Sequence, residues 1–285
     1  MATIREIKRR IKSVQNTSKV TKAMEMVAAS KMKRSQERTI AARPYAELIG
    51  KVMADLAMQQ RSGEKVPPLL ASRPVKRIGV VHITPDRGLC GGLVANVNRS
   101  AARFILDQCQ PVSVVAVGRK GLDFMLRSGQ DVSARFTQLG DRPPVSDILP
   151  IARLITEDYT NCVVDEVYLS YTRFVTTMTQ EPVIERLLPV EMPPGERAQN
   201  AEYIYEPSPE AVLAQLLPRF VEMKLYHVVL EAIASEQSAR MVAMRNATEN
   251  ARELIDELTL TYNKVRQEMI TTELLDITGG AAALG

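Results

Sequence analysis

All 16 prolines of this 285-residue chain lie between Pro44 and Pro218, and residues 1–43 and 219–278 contain neither proline nor glycine. Proline removes a helix hydrogen bond and clashes with the preceding turn, and glycine is among the poorest helix formers. The chain therefore reads as two long helices flanking a folded insert. At 1.5 Å per residue the first would span about 65 Å and the second about 90 Å. A compact insert of this size has a radius of gyration of only about 15 Å, so neither helix can be buried within it. The arrangement expected is an α/β chain whose terminal helices form an antiparallel coiled coil, with an inserted Rossmann-like α/β domain. The boundaries expected are 1–62 for the N-terminal helix, 75–206 for the α/β body and 209–285 for the C-terminal helix.

Heptad spacing supports the pairing. Ile4, Ile7, Ile11 and Val14 alternate in three- and four-residue steps, and the seam continues through Ser18, Thr21 and Ala28. In the C-terminal helix one row runs Met244, Ala251, Leu258, Val265 and a second Thr248, Ile255, Tyr262, Met269. A strict seven-residue repeat implies left-handed supercoiling. The helix is expected to start near Pro209 or Pro218, with a short segment 210–217 joining or kinking there, and to stop at Gly279-Gly280.

The charge is modest overall, a net +4, but uneven. Between Met1 and Ile40 there are eleven Lys/Arg and three Asp/Glu, whereas Glu249 to Ile277 carries seven acidic and three basic residues. This complementarity favours pairing of the two helices, although each exposed pair contributes only about 0–1 kcal/mol. The basic run Lys8-Arg9-Arg10-Ile11-Lys12, with Lys31, Lys33 and Arg34, opens an alternative: a basic helical nucleic-acid-binding protein with an α/β body. A near absence of aromatics for base stacking and the acidic C-terminal helix weigh against it. No stretch is long and uncharged enough to cross a bilayer, and the N-terminus has no apolar signal core. Three cysteines, Cys90, Cys109 and Cys162, form no disulfide framework, and an intracellular chain is expected.

Between the helices, elements alternate. Residues 77–84 and 112–117 read as strands, 92–109, 119–127 and 147–159 as helices, and 166–173 as a further strand. Segment 179–206 is expected to form edge strands or a hairpin, and Gly63 to Pro74 the exit loop of the first helix. Such alternation points to a partly parallel sheet covered by helices.

The sharpest local motif is Asp86-Arg87-Gly88-Leu89-Cys90-Gly91-Gly92, at a strand-to-helix turn. Such a turn can cradle phosphate. This one lacks the Gly-Lys-Ser/Thr of a P-loop and the spacing of a dinucleotide fingerprint, so a tight packing turn with Arg87 exposed for a partner is the better reading. Cys90 at a helix start could be a nucleophile, yet His82 and His227 are the only histidines, and a buried structural thiol is the commoner case. Those histidines and the scattered cysteines show no metal-ligand spacing. Carboxylate pairs such as Asp256-Glu257 lie on an amphipathic helix and read as surface. No catalytic, cofactor or metal site is expected.

Four segments in order carry a family resemblance. Residues 13–17 (Ser-Val-Gln-Asn-Thr) and Thr21 to Met32 resemble the N-terminal helix of the γ subunit of rotary F-type ATP synthases of bacterial type. Asp86 to Gly92 resembles that family's middle motif, Ser235 to Met241 its C-terminal helix, and Ile270 to Asp276, running into Gly280-Ala281, its closing signature. The resemblance covers essentially the whole chain. It implies a non-catalytic rotor shaft that couples proton-driven rotation of a membrane c-ring to ATP synthesis in catalytic β subunits. Implied partners are the α and β subunits, the ε subunit and the c-ring, with no nucleic acid and no cofactor. The implied place is the cytoplasmic face of the bacterial plasma membrane, reached only through the c-ring. By family match, Arg266 and Gln267 make polar contacts with a β-subunit loop, and Thr271 and Glu273 share that closing motif. Arg87 faces the acidic lever of β, and Met24 and Arg240 are positions tied to efficient coupling. The basic excess of the first helix gains a second use, facing acidic β loops. The redox-active cysteine pair of chloroplast relatives has no counterpart here, which argues against thiol switching.

Overall fold

The computed structural model describes residues 3–59, 67–191, 206 and 208–284. By packing, the chain divides into two compact units, Met1–Ala28 with Met241–Gly285, and Ala29–Arg240. Two helices contribute to both: α1, Ile4–Gln59, and α5, Pro209–Leu284. The start of α1 is fixed by a capping box. The Thr3 amide donates to Glu6 Oε2 at 3.0 Å, and the Glu6 amide donates to Thr3 Oγ1 at 3.4 Å.

In the first unit the two helices pair antiparallel. Thr21 and Thr248 share a buried hydroxyl hydrogen bond of 2.7 Å, and four residues further along α1 Glu25 accepts from Arg245, three residues back along α5. Thr21, Glu25 and Ala28 are buried on α1, facing a buried row of Met241, Met244, Thr248 and Ala251 on α5, and Ile7 is buried nearer the start of α1. The expected seam is thus present, with one member the hydrophobic pattern skipped: Glu25, whose carboxylate is buried. The Lys22 ammonium at 3.0 Å, with Arg245 behind it, holds that carboxyl below its ordinary range despite burial. Among the described residues, Glu25–Arg245 is the one ion pair joining the two helices here, and its acid lies on the basic helix. The expected charge attraction is therefore not what aligns them. Small and polar seam residues set the register, and the surplus charge stays in water.

In the second unit five strands form one sheet of order β3-β2-β1-β4-β5. These are β1 (Ile78–Ile83), β2 (Val112–Val117), β3 (Asp131–Phe136), β4 (Glu166–Phe174) and β5 (Gln180–Leu188). The first four run parallel and β5 antiparallel. Helices α2 (Leu93–Asp107), α3 (Arg119–Arg127) and α4 (Val145–Thr160) make the crossovers. Central β1 is buried along its whole length, as a run of Ile-Gly-Val-Val-His-Ile covered on both faces must be. Period-two alternation divides β2. Val114 packs with Ala101, Ile105 and Met125 of α2 and α3, while Val115 and Val117 join the main core. That core is built from the same sheet face, α4, the Ile49, Met53 and Leu56 stripe of α1, and Leu213, Leu217, Val221, Leu225 and Val228 of α5.

Several expectations are corrected. Pro218 lies inside α5, which starts at Pro209, one of the two starts expected, and runs on without a separate segment 210–217. Burial of Leu213, Leu217 and Val221 around Pro218 outweighs the hydrogen bond that proline removes. Gly279 adopts no left-handed conformation, and α5 continues to Leu284 rather than stopping at the glycine pair. Strand β3 was not foreseen. The expected edge strands of 179–206 include β5, and residues 192–205 and 60–66 lie outside those described.

The core holds one buried polar chain. Fully enclosed His82 places Nε2 2.9 Å from Asn98 Oδ1 and Nδ1 3.2 Å from Ser170 Oγ. Asn98 Oδ1 can only accept, so Nε2 carries the proton and Nδ1 accepts from the Ser170 hydroxyl. Burial lowers the His82 pKa from 6.5 to about 4, with the Asn98 hydrogen bond partly opposing. Between those values the unfolded chain binds the proton and the folded chain does not, so stability falls as pH falls, by up to about 3 kcal/mol at pH 4. Urea unfolding of His82→Gln should show a shallower loss of stability than the parent between pH 6.5 and 4. Parallel profiles would remove His82 as the cause.

Candidate functional site

The carboxyl ends of the parallel strands β1 and β2 are drawn together by short polar links. Thr84 Oγ1 accepts from the Gly121 amide at 2.8 Å. Gly118 has φ 93°, and a Cβ there would sit 1.8 Å from the Thr84 carbonyl oxygen, so no other residue fits. Asp86 ties three segments. Its Oδ1 accepts from the Arg119 amide and its Oδ2 from the Gln138 amide, each at 2.9 Å.

The turn Asp86 to Gly92 therefore leaves β1 in a fixed direction and packs on α5. Cys90 and Leu93 form a small apolar cluster with Ala239. Arg240 Nη2 donates to the Gly88 carbonyl at 3.2 Å and to Glu236 Oε1 at 2.6 Å. Gly91 takes φ 59°, the conformation that closes the turn. Burial raises the Glu236 carboxyl against the pull of Arg240, and burial with the neighbouring Glu236 charge raises the Cys90 thiol. A thiol buried beside a carboxylate is the reverse of an activated nucleophile.

Doubly wound sheets hold ligands where the strand order reverses, here between β1 and β4. That crevice is plugged by Val229, Ala232, Ile233 and Glu236 of α5, leaving a cavity of about 40 Å³. Beside it a depression of about 270 Å³ is lined by Asp86, Arg87, Gln138, Gly140, Asp141 and Glu236. Three carboxylates there oppose phosphate, which agrees with reading the glycines as a packing turn. Arg87 is exposed on the rim, with no hydrogen bond or ion pair among the described residues.

Of the residues singled out by sequence, the fold brings Arg87 and Arg240 to one place, one residue apart through the Gly88 carbonyl. Met24, in the first unit, is half-buried beside the Glu25 seam position. Arg266, Gln267, Thr271 and Glu273 are exposed on α5, and Thr271 Oγ1 donates to the Gln267 carbonyl at 2.9 Å, leaving the Gln267 amide to solvent. Because Thr21 faces Thr248, Ile4 at the start of α1 comes level with Val265. Beyond that point α5 has no partner from this chain among the described residues, and Met269, Ile270, Leu274, Leu275 and Ile277 are about half or more exposed. A helix end that leaves this many large apolar residues in water is built to be enclosed by something else.

The comparisons identify the family. The ATP synthase family model matches residues 3–284. A protein named ATP synthase gamma chain from Dehalococcoides mccartyi is 63% identical over 287 residues, covering all of both chains. One of the same name from Herpetosiphon aurantiacus is 53% identical over 293 residues, covering 100% of this chain and 99% of its own. The chain belongs to the ATP synthase gamma-chain family.

Among solved structures, a chain from the central stalk and c-ring of Tetrahymena thermophila mitochondrial ATP synthase aligns with TM-score 0.63 and 26% identity, over 80% of this chain and 99% of that one. A chain of Euglena gracilis mitochondrial ATP synthase aligns with TM-score 0.69 at 20% identity, over 99% and 94%, which speaks to the fold. The gamma chain is a non-catalytic, central-stalk subunit of the peripheral part of ATP synthase; catalysis lies in the beta subunits. The nucleic-acid alternative has no support in these matches. Within the structure, one of the basic residues that raised it is engaged internally, Lys31 with Asp141. No helix of the described residues is long and apolar enough to cross a membrane.

Sequence reasoning missed Asp141, the residue on which Lys31 and Gln237 meet. Lys31 Nζ donates to Asp141 Oδ2 at 2.7 Å, and Gln237 Nε2 donates to Asp141 Oδ1 at 3.0 Å. Cysteine accessibility checks the packing of the turn. Brief alkylation of the folded protein at neutral pH should modify exposed Cys109 and Cys162 and spare buried Cys90. Labelling of Cys90 at the rate of the other two would contradict the packed turn.

Proposed function

We propose that this gamma chain is the rotating shaft of a bacterial F-type ATP synthase, turned by a proton-driven c-ring and seated in a hexamer of alternating α and β subunits. The observation that carries the reading is the end of α5: from Arg266 onward it has no partner helix among the described residues and leaves Met269, Ile270, Leu274, Leu275 and Ile277 exposed. Enclosure by a protein sleeve resolves that exposure, and smooth apolar contacts permit turning.

In this reading the α/β body sits on the c-ring beside the ε subunit, at the cytoplasmic face of the plasma membrane, and the chain touches the membrane only through the ring. The Tetrahymena match, taken from a central stalk with its c-ring, supports the docking partner. Arg266 and Gln267 hold a β-subunit loop, assisted by Thr271 and Glu273 on the same exposed stretch. Arg87, exposed and unpaired on its rim, meets the acidic lever of β. Met24 and Arg240 act from opposite settings, one at the helix seam and one tying α5 to the Gly88 turn. Exposed Lys8, Arg9, Arg10 and Lys12 face acidic β loops. An asymmetric helix pair presents a different face to each β subunit. Rotation then biases each toward a different nucleotide state, because only differential contacts can shift a conformational equilibrium.

Replacing both Arg266 and Gln267 with alanine removes solvent-exposed groups, so thermal unfolding should move by less than about 0.5 kcal/mol. ATP-driven torque in the assembled enzyme should fall. Unchanged torque and rotation would sink the assignment of these two residues.

A further inference from the structure

Hydrogen bonds from three loops of the body converge on one stretch of α5. The β1–α2 turn presents the Gly88 carbonyl to Arg240, the β4–β5 hairpin presents the Thr177 carbonyl to Ser238 Oγ at 2.8 Å, and the β3–α4 loop presents Asp141 to Gln237. The part of the Ser235 to Met241 family motif that ends at Arg240 is therefore a gripped segment, held on several sides by directional bonds. Helix α1 is tied differently. Its Ile49, Met53 and Leu56 stripe packs in the main core, where apolar contact resists separation but is non-directional and tolerates small rotations. Among the described residues its directional ties include Ser35 Oγ to the Leu230 carbonyl at 3.0 Å, and Lys31 to Asp141.

Asp141 is thus the described side chain that bonds α1 with one carboxylate oxygen and α5 with the other. Its loop is itself held. The Gln138 amide donates to Asp86 Oδ2, whose other oxygen accepts from the Arg119 amide at the start of α3. Gly140 turns the chain with φ 74° just before Asp141. A continuous path of bonds then runs from the carboxyl end of β1, through Asp86 and the β3–α4 loop, to both helices.

We propose that Asp141 is a positioning residue for torque transfer, a two-oxygen clamp that locks α1 and α5 in angle to the α/β body. This rests on the rotor reading above. A shaft of two helices turned from its body must carry load in both, and a bond path that reached α5 alone would let α1 lag. The Lys31–Asp141 pair is partly exposed, with side-chain exposures of 34% and 42%, so its weight in folding stability is small, whereas the Gln237 amide that Asp141 accepts from is buried. Their role is in stiffness, which separates this proposal from a structural one.

The test uses the full enzyme with its hexamer fixed to a surface and a probe on the α/β body of this chain. Angular fluctuation is recorded while rotation is paused, and steady ATP hydrolysis is measured in parallel. Removing the Lys31 tie, one of the two directional ties to α1 shown among the described residues, should raise the angular variance about twofold in Asp141→Ala, with hydrolysis near the parent rate. Asp141→Asn, which keeps an acceptor for Gln237 and loses the ion pair, should fall between and keeps the test available if the alanine variant assembles poorly. The exchanged pair Lys31→Asp with Asp141→Lys should return toward parent stiffness. Parent-like variance in Asp141→Ala and Asp141→Asn, or an exchanged pair no stiffer than alanine, overturns the clamp. A parent enzyme whose probe does not turn during hydrolysis overturns the rotor reading and the clamp with it.

Discussion

One helix, α5, has to serve two different kinds of partner along 76 residues. From Leu213 to Ile233 it is a core element, burying large aliphatic side chains against a sheet, where each contributes about 1.5–3 kcal/mol. From Met241 onward it is half of a helix pair whose seam is Met, Thr and Ala, with Ile and Val contributed only toward the free start of α1. Strong apolar burial belongs to the first stretch, and register there follows from packing. In the second stretch the buried area is small, so a hydroxyl pair at Thr21–Thr248 and the Glu25–Arg245 contact define how the helices meet. Buried polar layers are known to set register at some cost in stability.

Between those stretches lies the segment Ser235 to Arg240, and its chemistry differs from both. Glutamine, serine and arginine there bond to loops at the carboxyl end of the sheet, the place where related sheets carry ligands, and a glutamate holds the arginine. In this chain α5 occupies that place itself. The cleft is thereby turned from a binding pocket into an attachment point, which is why a Rossmann-like body can act as a mechanical part with no chemistry of its own.

Much of this was legible because it is local. The absence of proline and glycine announced both long helices, and β2 and α3 fall on the residues that composition and turn signals marked. Strand β3 escaped because Asp131-Val-Ser-Ala-Arg-Phe136 sits on an exposed edge, where no apolar run is required. The Gly279-Gly280 stop failed because glycine weakens a helix without ending it unless the backbone turns left-handed. At the site, Arg87 and Arg240 were reached through family motifs, and their shared neighbour Gly88 followed only from the fold. Asp141 was beyond reach, since its partners lie 110 and 96 residues away and no local pattern marks a loop aspartate for them.

The central claim is that the unpaired end of α5 is enclosed by other subunits. The most direct measurement is native mass spectrometry of the intact assembly purified through this chain from detergent-solubilised membranes. The account predicts a complex of three α subunits, three β subunits, one copy of this chain and ε. Recovery of the chain alone, or with nucleic acid and without α or β, would contradict it.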